Sequence, residues 1–258
     1  MKDKLTVVKI GGKLLDDKQV LNKFLDNFSK IKEKKILIHG GGIIASDYLI
    51  KLGISPKLVE GRRITDKKTL DVVIMTYAGL LNKKIVSILQ SYSCNSVGLS
   101  GSDCNIILAN KREIRKIDYG FVGDIKKINT KIIKDFLRLK ITPVLCSLSH
   151  DGKGQILNTN ADTIASNISF ELSKKYDVTL KYCFEKKGVL ANQKKTNSIR
   201  KNISKSDFNT LKQNKTIYDG MIPKLENCFL ALENGVKNVF VGNPDILINE
   251  KNCTKITL

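Results

Sequence analysis

Two apolar runs that each end in glycines and lead into a helical pattern constrain this chain most. Residues 5–10, Leu-Thr-Val-Val-Lys-Ile, run into Gly11-Gly12. Residues 35–38 run through His39 into Gly40-Gly41-Gly42. After the first run, Val20, Leu21, Phe24, Leu25, Phe28 and Ile31 recur at helical spacing, with Asp16 or Asp17 placed to cap the helix. After the second, residues 43–52 can be helical. A β-branched run, a glycine turn and a helix make a βα unit, and repeated βα units build a mainly parallel sheet covered by helices.

The rest of the chain keeps that rhythm. Residues 67–90 predict one long helix with Leu70, Val73, Ile74, Tyr77, Leu80, Leu81 and Ile85 on one side. Residues 106–124 predict short hairpin strands, and 130–138 a helix. Residues 143–148 predict a buried strand, 151–154 a turn and 160–174 a helix. A strand over 178–184, a helix over 221–234 and a strand over 236–241 follow. Residues 186–215 are polar, rich in Asn and Lys, and predict loops with short elements. The fold class expected is α/β, a three-layer αβα sandwich around a mainly parallel sheet. At 258 residues it can form two lobes, divided near residues 174–177 into 1–175 and 176–258.

Bulk properties narrow the function. No apolar run approaches the roughly 20 residues of a membrane helix, and residues 1–4 lead straight into the first strand. The expectation is a cytoplasmic protein with no membrane partner. The six cysteines lack Cys-x-x-Cys spacing, which argues for scattered reduced thiols over a zinc site. The net charge of +20 admits a nucleic-acid module. Against that, only six of the 45 basic residues are Arg, and the lysines are spread along the chain beside many Ile and Asn. That composition fits an AT-rich genome, and no aromatic-interleaved basic stripe accompanies it. No nucleic-acid partner is expected.

Several residues carry possible chemistry. Lys9 is ionisable yet lies inside an apolar strand end, which demands an anionic partner. Gly11-Gly12 reads either as a tight turn or as N–H donors for a phosphate, and Gly40-Gly41-Gly42 as a flexible loop or an anion site. Arg62-Arg63 reads as a solvated pair or a carboxylate fork. Asn158 and Asn160 alternate about Thr159, so both face one side if extended, while an Asx before a helix is commonly a cap. Asp162 reads as a first-turn, dipole-favoured acid. Two lysines, an acid and glycine turns suit phosphoryl transfer, which is mostly positioning plus positive charge. Neither a Walker P-loop nor the protein-kinase motifs are present.

Six blocks in order resemble the amino-acid kinase family, its acylglutamate kinases above all. They are Lys-Ile-Gly-Gly at 9–12, His-Gly-Gly-Gly at 39–42, Gly-Arg-Arg-Ile-Thr-Asp at 61–66, Val-Gly-Asp-Ile at 122–125, Asn-Thr-Asn-Ala-Asp at 158–162 and Gly-Met-Ile-Pro-Lys at 220–224. The resemblance implies an ATP- and Mg²⁺-dependent kinase acting on the γ-carboxylate of an N-acylglutamate, on the route to arginine. It implies a homodimer, with acyl-amino-acid binding and dimerisation in the first lobe and ATP in the second. Lys9 and Lys224 would stabilise the transferring group, Asp162 would hold both lysines, and Gly12 and Gly41 would donate N–H groups. Gly41, Gly42, Arg63, Asn158 and Asn160 would hold the acylglutamate. Lys9, Gly11, Gly12, Glu185, Gly188, Val189, Leu190, Asp219, Gly220, Met221 and Lys224 would hold ATP. Acetyl and succinyl acyl groups are both open, and another amino-acid kinase, such as a carbamate, aspartate, glutamate or uridylate kinase, is the alternative enzyme reading. Glu185-Lys186-Lys187 and Cys253-Thr254 depart from the family pattern. No helical extension precedes the first strand, so arginine feedback and a hexamer built through one are not expected.

Overall fold

A computed structural model describes residues 2–59, 61–191, 198–214, 216–217 and 220–258. The first half of the chain runs β1 (Asp3–Ile10), α1 (Lys18–Ser29), β2 (Lys34–His39), α2 (Gly42–Lys51), β3 (Leu58–Val59), β4 (Arg62–Arg63), α3 (Lys67–Ile74), α4 (Asn82–Ser91), β5 (Ser96–Leu99), β6 (Ile107–Lys111) and β7 (Gly123–Ile128). The second runs α5 (Thr130–Arg138), β8 (Thr142–Cys146), β9 (Leu148–His150), β10 (Ile156–Asn158), α6 (Ala161–Ser173), β11 (Tyr176–Cys183), β12 (Asn202–Ile203), α7 (Lys205–Gln213), α8 (Met221–Glu233), β13 (Asn238–Gly242) and β14 (Thr254–Ile256).

Eight strands form one sheet in the order β12-β14-β13-β11-β1-β2-β8-β5. Every pairing in it is parallel except β13 with β14. A smaller sheet, β10-β9-β6-β7, stands beside it. The large sheet aligns its strand ends in register. Cys146 pairs with His39, His39 with Ile10, Ile10 with Cys183, and Cys183 with Gly242.

Side-chain alternation then sorts residues onto two faces. Leu5 and Val7 of β1 join Val178, Leu180 and Tyr182 of β11 in a core with residues of α5, α6 and α8. Val8 and Ile10 face the other way, into a core with Leu21, Phe24, Leu25 and Phe28 of α1 and Ile85 and Leu89 of α4. Lys9 shares parity with Leu5 and Val7, so it points toward α6. His39 shares parity with Leu37 and points toward α4. The chain leaves β1 through α1 toward β2 on one side, and leaves β11 toward β13 on the other. The crevice between β1 and β11 is thus a topological switch point, where open α/β sheets bind ligands.

The sandwich matches the expectation, and its departures have local causes. The long helix over 67–91 is interrupted by a π-helical stretch, Met75–Leu81, where the wider turn shifts the helical phase between α3 and α4. That helix does reach the length and apolarity of a membrane span, with mean hydropathy 1.5, although charged residues break every simple apolar run. Its Leu70, Val73, Ile85 and Leu89 are buried in the fold. The single strand read over 143–148 is two, because the chain leaves the large sheet at Ser147 and joins the small one at Leu148. Strands β3, β4, β5, β10 and β14 have two to four residues, too short for a periodic signal.

Asp17 is the cap of α1. Its side chain accepts from the N–H groups of Gln19 and Val20 at 2.8 and 3.0 Å. Asp17→Ala is expected to cost about 1 kcal/mol and lower Tm by about 2–4 °C. Asp16→Ala should stay within about 0.5 kcal/mol of the parent. Equal losses in the two variants on thermal unfolding would assign the cap wrongly.

Candidate active site

At the carboxyl end of β1, the apolar alternation delivers Lys9 to the first turn of α6. Its Nζ lies 2.8 Å from Oδ1 of Asp162, an ion-pair approach without hydrogen-bond alignment. Lys224, in the first turn of α8, donates to Oδ2 of Asp162 at 2.8 Å. All three side chains are only 11–13% exposed. One carboxylate therefore holds apart two ammonium groups that come from opposite ends of the chain. A lysine in a first turn opposes the helix dipole, and Asp162 offsets that cost.

Electrostatics follows from the burial. Burial by itself would raise the Asp162 carboxyl, but the Lys224 and Lys9 charges override it and hold the group far below the usual carboxylate range. Burial lowers the Lys9 ammonium, Asp162 opposes that shift, and Lys224 adds to it. Aromatic rings complete the setting. Lys224 Nζ lies 5.5 and 5.9 Å from the ring centres of Tyr182 and Phe184. The Tyr182 hydroxyl donates to the Asp162 carbonyl at 2.9 Å.

Side chains of the site occupy the space beside the glycine turns. A Cβ on Gly11 would overlap Lys9 Nζ. Gly12 has φ +64°, and a Cβ there would overlap Glu185 Oε1. Glu185 accepts the Lys13 N–H at 2.7 Å. A Cβ on Gly41 would meet Leu81 at 2.5 Å and the Tyr77 ring at 2.8 Å.

Arg63 is held by the β3–β4 hairpin. Its Nη2 donates to the Gly42 carbonyl at 2.7 Å and to Ser46 Oγ at 2.8 Å. Its Nη1 is buried without a partner. Arg112 likewise grips Asp124 with Nε and Nη2 and leaves Nη1 buried and unpartnered. A buried guanidinium nitrogen without an acceptor calls for an anion.

These groups border one cavity of about 200 Å³. It gathers the expected Lys9, Gly11, Gly12, Gly41, Gly42, Arg63, Asn158, Asn160 and Asp162, with Lys224 joined through Asp162. Larger clefts of about 740 and 920 Å³ lie at the amino ends of β1 and β2 and over residues 110–119. Neither brings two lysines to a buried acid. Asn160 caps α6, accepting from the N–H groups of Asp162 and Thr163. Asn158 donates to Thr65 Oγ1 at 3.0 Å, tying β10 to the hairpin segment that carries Arg63.

The expected nucleotide residues lie outside this cavity, apart from those at the β1 turn. Val189 and Leu190 are buried, with the Val189 N–H donating to Thr254 Oγ1 at 2.8 Å. Gly188 packs against the same hydroxyl. Gly220 precedes α8, and Met221 begins it, partly buried. Asp219 lies outside the described residues. Sequence reading missed Tyr182, Phe184 and Arg112. Aromatics two apart on a strand, and an arginine in a lysine-dominated chain, were the available signals.

The sequence matches the amino acid kinase family over residues 4–243. The chain belongs to that family. An acetylglutamate kinase of Phocaeicola vulgatus is 48% identical over 93% of this chain and 94% of that protein. One from Cytophaga hutchinsonii is 46% identical over 98% and 96%, and one from Methanopyrus kandleri 33% over 95% and 97%. Among solved structures, smu.665 of Streptococcus mutans superposes with TM-score 0.83 at 26% identity, covering 98% of both chains. Carbamate kinase of Giardia lamblia bound to AMP-PNP gives 0.71 at 14% identity, covering 99% and 98%, which supports the fold alone.

Asp162→Asn should leave two buried ammonium groups without their counter-charge, a loss of about 3–5 kcal/mol at neutral pH. A depressed folded-state pKa stabilises above the unfolded value near 3.9, and that stability is lost as pH falls through the folded value. The gap between parent and variant should therefore be constant from about pH 5 upward and shrink below about pH 4. Urea unfolding at several pH values measures it. A gap that grows on acidification would contradict the ion-pair assignment.

Proposed function

We propose that this family member transfers the γ-phosphoryl group of ATP to the γ-carboxylate of an N-acylglutamate. N-acetyl-L-glutamate is the substrate taken first, giving N-acetyl-L-glutamyl 5-phosphate, an early step of arginine biosynthesis. The observation that carries the reading is Asp162 between Lys9 and Lys224, beside a cavity whose guanidinium nitrogens await an anion.

The chemistry needs no general base. A glutamate-like γ-carboxylate titrates near 4.3 and is already ionised at neutral pH. Asp162, held far below the usual range, is a poor proton acceptor and an effective fixed charge. Lys9 and Lys224 supply positive charge where it spreads in the transition state, while the N–H groups of Gly12 and Gly41 add donors. Arg63 grips the α-carboxylate through Nη1, with Asn158 beside it. ATP supplies the phosphoryl group and enters over the β1 turn toward residues 185–190 and 216–221. Mg²⁺, carried in with ATP, would supply further positive charge to the transferring group. Among the described residues, no group of three or more His, Cys, Asp or Glu is arranged to hold a metal.

Residues 1–175 carry the acyl substrate and residues 176–258 the nucleotide. The protein works in the cytoplasm as a homodimer, without nucleic-acid or membrane partners. Exposed Tyr48 of α2 and Leu52 just after it, with Met75 and Leu80, offer apolar surface for the pairing.

One observation favours a longer acyl arm. Arg112 Nη1 is a second buried, unpartnered donor at the cavity, which a carboxylate on a succinyl group would satisfy. ADP release measured with N-acetylglutamate, N-succinylglutamate and free glutamate separates these readings, and activity on none of them overturns the proposal.

Lys9→Ala and Lys224→Ala should each lower kcat by about 10²-fold or more, with smaller effects on KM. Arg63→Ala should instead raise the acylglutamate KM about tenfold or more and leave the ATP KM nearly unchanged. The rate should show no acidic limb near neutrality from Asp162. Loss of ATP binding alone in Arg63→Ala would place that residue in the wrong half of the site.

A further inference from the structure

His39 ends β2 fully buried, on the face that packs against α4. Its Nδ1 lies 2.8 Å from the Gly40 carbonyl. A carbonyl only accepts, so Nδ1 carries the proton. Its Nε2 lies 3.1 Å from Asn82 Nδ2. The same Nδ2 lies 3.0 Å from the Val144 carbonyl, which fixes the amide with its nitrogen inward. Lys83 Nζ, 3.4 Å from Asn82 Oδ1, fits that orientation. Nε2 is therefore an acceptor, and the imidazole is neutral in a single tautomer. Burial pushes the imidazole down to about 4, which agrees.

We propose that His39 and Asn82 form a latch that holds the Gly40–Gly41 peptide with its N–H turned into the active site. The Gly40 carbonyl and the Gly41 N–H belong to one planar trans unit and point in opposite directions. Holding the carbonyl on a buried ring turns the N–H toward the cavity that Gly41 borders. Consecutive glycines leave such a peptide free to rotate, and a rotated one would present a carbonyl to an anion. The helix that supplies Asn82 also supplies Tyr77 and Leu81, which crowd Gly41. One helix thereby sets both the peptide's position and its orientation.

The inference rests on the phosphotransfer reading, in which the Gly41 N–H donates near the reacting groups. His39 is a positioning residue in it. The chain has two histidines, and the other gives an internal reference. His150 Nδ1 accepts the Gly152 N–H at 3.1 Å and Nε2 donates to Asn105 Oδ1 at 2.8 Å, the opposite tautomer.

Imidazole ¹⁵N spectra of histidine-labelled protein, taken between about pH 6 and 8, should show His39 protonated at Nδ1 with Nε2 bare. A protonated Nε2 on His39 would overturn the latch without any substitution. Asn82→Ala should mix the tautomers and lower kcat by about 10- to 10²-fold, the upper figure being the loss of one oxyanion-type donor, while the ATP KM stays within about twofold. Mixed tautomers with an unchanged kcat would also overturn it. His39→Phe repeats the kinetic half if Asn82→Ala fails to fold. Parent protein that is inactive on every acylglutamate would remove the phosphotransfer reading, and the tautomer of His39 would still decide the orientation of the peptide.

Discussion

Everything at the carboxyl end of this sheet is arranged around one buried carboxylate. Two lysines placed near each other repel, and burial penalises each charge separately. Asp162 makes the pair tolerable by meeting one ammonium with each oxygen at 2.8 Å. It can do so because α6 starts where it does. Asn160 caps that start, and the Tyr182 hydroxyl fastens the Asp162 carbonyl to β11. The cost of concentrating positive charge is thus met by covalently distant elements that must all be folded. The site cannot form before β1, α6, β11 and α8 have come together.

Strand parity explains why those elements meet. In β1 the alternation gives Val8 and Ile10 to one core and Leu5, Val7 and Lys9 to the other. A one-residue slip would aim Lys9 at α1 and bury an unpaired charge among phenylalanines. The hydrophobic demands of both faces therefore fix the register, and the register places the lysine. The same logic sends His39 to α4 and Tyr182 to α6. The catalytic geometry is in this sense a by-product of packing two cores on one sheet.

Legibility in the sequence tracks whether a signal is local and periodic. The helices with well-spaced apolar faces, and the two glycine-ended strands, were readable because their neighbours in sequence set their pattern. The β3–β4 hairpin, β5 and β14 were not, since two to four residues carry no period. The π-helical stretch at Met75–Leu81 was also hidden, because its apolar residues fit an α-helix almost as well. For the site, ordered motif blocks pointed to Lys9, Asp162 and Lys224, but nothing in them says that Asp162 bridges rather than accepts a proton. That distinction lives in two distances. Arg112 acts through Asp124 on the next strand, and the aromatic pair at 182 and 184 through Lys224, about 40 residues on, beyond any local pattern. Asn160 illustrates the reverse case, where the ordinary structural use of an Asx residue before a helix was correct and leaves its side-chain oxygen engaged as a cap.

The distribution of arginine sharpens the contrast between background and site. Thirty-nine of the 45 basic residues are lysine, and they are spread along the whole chain. Of the six arginines, Arg62, Arg63 and Arg112 border the small cavity, and Arg115 borders the adjoining cleft. A lysine serves where a point charge is enough, whereas a planar fork can hold a partner with one edge and present another edge to a ligand. Arg63 and Arg112 both do this, each engaging protein acceptors while Nη1 stays buried and open. An ammonium in either place would carry its donors on one nitrogen and would lack the flat second edge that reaches the cavity. Lys9 and Lys224 follow the opposite rule. Each sets a compact charge against Asp162, and on the proposed reaction that charge would also face the transferring oxygens. On the proposed reaction, the choice between the two cations would map the cavity, with guanidinium toward a substrate carboxylate and ammonium toward the transferring group.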